Sequence, residues 1–181
     1  MEARFEVVSK YADKGINLPC RKTKLSAGYD FEVAEDIIVP SFAKSFVYND
    51  PATVNITLCT PADYSVVCDF TKYAGRPMTL VPTGIKCKLD PGTYLELSVR
   101  SSTPLKSGLM LANGVGIIDA DYYNNPDNEG HIFFQLINPT PFDIRIPKGT
   151  AIGQGLIKSY LTTEDDNAEN ERTGGFGSTD G

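Results

Sequence analysis

Apolar residues along this chain fall in short runs, many alternating with polar ones, and almost nowhere at the three-and-four spacing of a helix. The runs are FEVVSK (5–10), DFEVAEDIIVP (30–40), TVNITLCT (53–60), YSVVCDF (64–70), GIKCKL (84–89), TYLELSV (93–99), HIFFQLI (131–137), FDIRI (142–146) and IGQGLIKSYL (152–161). Successive strand side chains point to opposite faces, so alternation marks a strand with one face buried. Clusters of Gly, Pro, Asn and Asp separate the runs, with turn signals at Pro91-Gly92 and Lys148-Gly149. The pattern predicts an all-β sandwich or barrel. One short helix is expected over Ser102–Ser107, and no internal repeat is present.

The pattern ends near Thr163. Residues 164–181 are acidic, then glycine-rich, with Phe176 as the one aromatic. That composition predicts a mobile tail on a β domain spanning 1–163. Its glycines would also let the backbone wrap a ligand closely.

At 181 residues the chain can bury one proper core. Its net charge is −6, which gives no general basic footprint for nucleic acid. A nucleotide needs only a few placed cations, so it stays within reach. The first fifteen residues carry charges throughout, unlike a signal peptide or a membrane span, and a cytoplasmic location is the expectation. Cys20, Cys59, Cys68 and Cys87 form no C-x-x-C pair and are expected to be buried free thiols. His131 is the single histidine, placed at the edge of an expected strand. A catalytic base is therefore sought among the carboxylates.

Candidate chemistry concentrates in Arg100 to Tyr122, RSSTPLKSGLMLANGVGIIDADY. Arg100 offers a planar fork of donors to phosphate oxygens, and the hydroxyls of Ser101 and Ser102 complete such a cradle. Asn113 presents a donor beside an acceptor, enough to read one edge of a nucleobase. Asp119 can deprotonate a water, or simply cap a tight turn. Tyr122 can lie against a sugar, or fill the core.

With these residues in view, the sequence resembles the trimeric dUTPase family in five ordered motifs. They are Ala27-Gly28-Tyr29-Asp30; Arg100-Ser101-Ser102 with Lys106 and Gly108; Asn113 through Tyr122; Gly149 to Gln154; and Gly174 to Thr179. Leu80-Val81-Pro82-Thr83-Gly84 is similar to a further family segment. There are departures. Val99 stands where the family usually has Pro, and Ala151 where it usually has Arg. Arg172 lies one residue closer to Phe176 than usual. Residues 123–129 lengthen the turn after the third motif, and residues 41–78 form an insertion of roughly thirty residues.

The resemblance implies a distorted jelly roll, assembled as a homotrimer with active sites shared between subunits. It implies hydrolysis of dUTP to dUMP and pyrophosphate, by water attack at the α-phosphorus with Asp119 as general base. Arg100, Ser101, Ser102 and Gln154 would hold the phosphates. Mg²⁺ would ride mainly on the triphosphate, with Asp30 contacting its waters. Asn113 and the backbone of a Leu111–Asp119 hairpin, including Gly116 and Ile118, would read uracil. Tyr122 would leave no room for a 2′-hydroxyl. Arg172, Phe176, Gly177, Ser178 and Thr179 would close over the substrate from the tail.

Two rival readings remain open at this point. A dCTP deaminase shares the fold and the Arg-Ser-Ser. A non-catalytic protein of the same fold would use the stretches 41–78 and 123–129 to dock a protein partner, a role that could also coexist with catalysis.

Overall fold

In this computed structural model, residues 3–42, 78–170, 172, 174 and 175 are described. The expected strands at 53–60 and 64–70 lie outside the described residues, as do Cys59, Cys68, most of the 41–78 insertion, and Phe176, Gly177, Ser178 and Thr179.

Eleven strands are present among the described residues: β1 (Ala3–Val7), β2 (Tyr29–Glu32), β3 (Ile37–Val39), β4 (Met78–Pro82), β5 (Ile85–Leu89), β6 (Thr93–Val99), β7 (Met110–Leu111), β8 (Gly116–Asp119), β9 (Phe133–Ile137), β10 (Ile144–Ile146) and β11 (Ala151–Ser159). They form four sheets, ordered β1-β5, β10-β3, β2-β11-β6-β8 and β4-β9-β7, a jelly-roll-like β sandwich. All pairs are antiparallel. One helix, α1 (Ser102–Ser107), occupies the expected residues. It ends at Gly108, whose φ of +71° suits the left-handed cap that glycine adopts without penalty.

Alternation along β6 and β9 explains the core. Leu95 and Leu97 from β6, Phe134 and Leu136 from β9 and Phe31 of β2 belong to one core cluster, all essentially inaccessible to water. The rings of Phe31 and Phe134 sit 5.8 Å apart. Gly153 of β11 lies against Phe134, where any Cβ would overlap the ring. Each fully buried large side chain contributes about 1.5–3 kcal/mol.

The structure revises three expectations. The run 30–40 is two strands, because the chain turns over 33–36 before β3. The Leu111–Asp119 segment is not a hairpin: β7 pairs with β9, while β8 pairs with β6. Its turn closes through Gly114 N–H to Leu111 O (3.1 Å) and Val115 N–H to Asn113 O (2.8 Å), and its arms then leave for different sheets. Cys20 is exposed, whereas Cys87 is buried; both are free thiols. Burial pushes the Cys87 thiol up to about 12. Among the described residues no helix is long and apolar enough to cross a membrane.

Candidate active site

The β7–β8 turn opens a cleft of about 260 Å³ between the two large sheets. Asn113, Gly116, Ile118, Asp119, Tyr122 and Arg172 all line it. Gly116 lies opposite Leu97 and Ile118 opposite Leu95, so β6 fixes both. An added Cβ at Gly116 would approach Leu97 to 3.2 Å, so glycine brings the β8 backbone close to the floor. Asn113 is exposed at the tip of the turn.

Asp119 closes β8, and its carboxylate is half-exposed to the cleft. The guanidinium of Arg172 donates to Asp119 Oδ2, and its Nε donates to Asp121 Oδ1 at 2.8 Å. The same guanidinium lies 5.8 Å from the centre of the Tyr122 ring. Gly174 is buried, and Gly175 packs over Tyr122, where an added Cβ would come within 2.9 Å of Cε2. Arg172 and Gly175 of the C-terminal segment thus lie against the cleft.

Tyr122 ends a 3₁₀ turn over Ala120–Tyr122 and is 6% exposed. Its hydroxyl accepts from Asn128 Nδ2 (2.8 Å) and donates to the His131 carbonyl (3.3 Å). Burial pushes its phenol pKa up.

Four cleft residues escaped the sequence reading: Leu97, His131, Phe133 and Gln135. A signal existed for Phe133 and Gln135, because β9 alternates and the two share its partly open face. His131 precedes the strand and is buried in the cleft wall rather than sitting at a strand edge. Its Nε2 accepts the Gly84 N–H at 2.8 Å, which assigns that nitrogen as unprotonated. Burial, with the nearby Lys10 charge, pulls its pKa down to about 4. Thr83 Oγ1 donates to Ile132 O at 2.6 Å, so the Leu80–Gly84 segment holds the cleft wall in place.

Arg100, Ser101, Ser102, Gln154 and Asp30 gather elsewhere, at the far end of β6. Gln154 pairs with Asp30 of β2 on one side and Ser98 of β6 on the other. Gly28 packs beneath Gln154, where an added Cβ would stand 2.5 Å from Oε1. Ser101 precedes α1 without a side-chain cap and Ser102 opens it, while Thr103 Oγ1 pins the helix to Ile152 O at 3.0 Å. Arg100 Nη2 lies 3.4 Å from Asp30 Oδ2, an ion pair too loose to be a hydrogen bond, and that buried oxygen has no hydrogen-bond partner. Arg100, Ser102, Lys106 and Arg145 line an adjoining depression of about 320 Å³.

The register of β6 measures the gap between the two clusters. Asp119 lies opposite Tyr94, and Arg100 follows Val99 at the other end. Six residues of strand separate them by roughly 20 Å, more than an extended arginine can cross.

The sequence profile of the dUTPase family matches residues 63–180. A deoxyuridine 5′-triphosphate nucleotidohydrolase of Lactococcus lactis is 42% identical over 177 residues, covering 97% of this chain and 95% of that protein. The chain belongs to the dUTPase family. A rice relative with the same name is 28% identical, covering 95% of this chain and 78% of that one. The crystal structure of a dUTPase from Streptococcus mutans superposes with a TM-score of 0.66 at 35% identity, covering 88% of this chain and 98% of that one. A dUTPase from phage phi11 of S. aureus shares the fold at 15% identity and a TM-score of 0.60, covering 94% and 97%. That phage protein carries a species-specific insert.

Proposed function

We propose that this protein hydrolyses dUTP to dUMP and pyrophosphate. The observation that carries the reading is the cleft at the β7–β8 turn, which joins a base-reading amide, a sugar-sized aromatic wall and an accessible carboxylate. Asn113 and the turn backbone suit the uracil edge, since fixed donors and acceptors leave cytosine with unpaired groups. Tyr122 suits the deoxyribose face. Asp119 takes a proton from water as the oxygen attacks the α-phosphorus, and the bond to the bridging oxygen breaks to release pyrophosphate. Arg172 holds Asp119 in the free chain. Its guanidinium occupies the carboxylate oxygen that would face the water, and the triphosphate is the natural anion to draw this cation away. His131 takes no part as a base, because its acceptor nitrogen is occupied.

Arg100, Ser101, Ser102 and Gln154 supply the phosphate cradle. Their distance from Asp119 favours a homotrimer in which one copy brings the cradle to the cleft of another. Phe176, Gly177, Ser178 and Thr179 complete the cover over the substrate and exclude water from it. The domain then runs over 1–163, with 164–181 serving as the lid.

Mg²⁺ fits the residues present. An ion carried mainly by phosphates and water needs few protein ligands. The unsatisfied Asp30 Oδ2 would accept from one of its waters. When bound, the ion would offset charge on the phosphates. A staphylococcal phage dUTPase of the same fold is described with a structural Mg(II) ion.

The test is turnover across dUTP, dCTP, dTTP and UTP, with pyrophosphate and ammonia both measured. Selective release of pyrophosphate from dUTP is expected. Ammonia from dCTP would instead make the chain a deaminase, and silence with every nucleotide would leave a binding protein.

A further inference from the structure

We propose that Asn128 is a positioning residue that fixes Tyr122 and thereby sharpens the choice of deoxyribose over ribose. The inference rests on the dUTP reading above and deepens it. It assigns work to the lengthened turn 123–129, which the family motifs leave without a role.

The turn is fastened at both ends rather than free. Asn124 N–H donates to Glu129 O at 3.1 Å, and Lys86 Nζ donates to Asn124 Oδ1 at 2.7 Å. The Glu129 carboxylate accepts from the Ser9 hydroxyl and from the Ser9 N–H at 3.2 Å. Asn124 and Glu129 hold φ values of +59° and +61°, a region that non-glycine residues enter at a cost and keep only under restraint. Gly130 follows at +76°, and any Cβ there would overlap the Tyr122 carbonyl oxygen. The loop therefore closes tightly around the 3₁₀ turn that carries Tyr122.

Within it, both ends of the Asn128 amide are used. Oδ1 accepts the Gly130 N–H at 3.0 Å, which orients Nδ2 toward the Tyr122 hydroxyl at 2.8 Å. The hydroxyl donates its own hydrogen bond to the His131 carbonyl. Two bonds from opposite sides thus fix the phenol and, with it, the tilt of the ring that walls the cleft. A ring can reject one extra hydroxyl on a sugar only while it cannot retreat by a fraction of an ångström. Removing a bond to a buried hydroxyl frees it to do so.

The experiment measures kcat/KM for dUTP and UTP, and calorimetric Kd for dUMP and UMP. It compares wild type, Asn128→Asp, Tyr122→Phe and the double variant. Asp at 128 keeps the acceptor for Gly130 but can meet the phenol only by accepting its proton, so one of the two bonds that hold the hydroxyl is lost in either case. The expected result is a fall of about tenfold in the dUTP:UTP and dUMP:UMP ratios, the usual worth of one hydrogen bond. That fall should vanish in the Tyr122→Phe background. Unchanged ratios in Asn128→Asp, or an equal fall in both backgrounds, would overturn the proposal. If Asn128→Asp does not fold, Tyr122→Phe removes the same bond from the other side, and full discrimination there would be equally fatal. A wild type that does not prefer dUTP would instead refute the underlying function.

Discussion

Burial of the His131 ring, whose Nε2 accepts the Gly84 amide, makes the protein sensitive to acid. Unfolded, the imidazole takes its proton near its ordinary value of 6.5; folded, only at about 4. Below pH 6.5 the unfolded chain binds the extra proton, so stability is full above 6.5 and falls as pH drops toward 4. Between pH 6.5 and 5 the loss from this group is about 2 kcal/mol. His131→Gln keeps an acceptor but does not titrate. Its denaturant midpoint should therefore change less than that of wild type over the same range, while turnover of dUTP at neutral pH persists. Parallel pH curves for the two proteins would show that His131 is not the sensitive group. Nothing in the sequence around His131 announced this role, because Gly84 lies 47 residues away and only the fold brings the two together.

Strands and turns carry the next level. Periodicity located β5, β6, β9, β10 and β11, since each alternates over a buried face. It could not separate the arms of the Leu111–Asp119 turn, because which sheet a strand joins is a long-range property that its own pattern does not encode. Gly153 shows the same limit. A glycine inside a strand hints at close approach, but only the structure names Phe134 as its neighbour. Gly153→Ala should cost about 1–3 kcal/mol by overpacking, read as a lower denaturant midpoint. A neutral result would mean that Phe134 can move aside. The C-terminal segment makes the opposite prediction. Truncation after Thr163 should leave the midpoint nearly unchanged, since residues 164–170 are exposed. The same truncation should severely reduce dUTP turnover by uncovering the cleft. Full activity in the truncated chain would remove the lid from the account.

For the whole molecule, the residues expected to act together separate into two groups along β6, with Asp119 and Arg100 at opposite ends. Sequence order alone suggested one site, as both lie within a stretch of twenty-three residues from Arg100 to Tyr122. Extended backbone carries them apart. If copies share sites, Asp119→Asn and Arg100→Ala should each be nearly inactive, yet recover part of the activity when refolded together. A mixture no better than its components would place both residues in one site of one copy. The central claim is that water, activated by Asp119, attacks the α-phosphorus of dUTP. It is tested most directly by turnover in ¹⁸O-labelled water, with wild type and Asp119→Asn compared. The account predicts one labelled oxygen in dUMP, none in pyrophosphate, and a kcat lowered about 10²–10⁴-fold in Asp119→Asn with nucleotide binding retained. Label in pyrophosphate, or an Asp119→Asn variant with undiminished kcat, would contradict it.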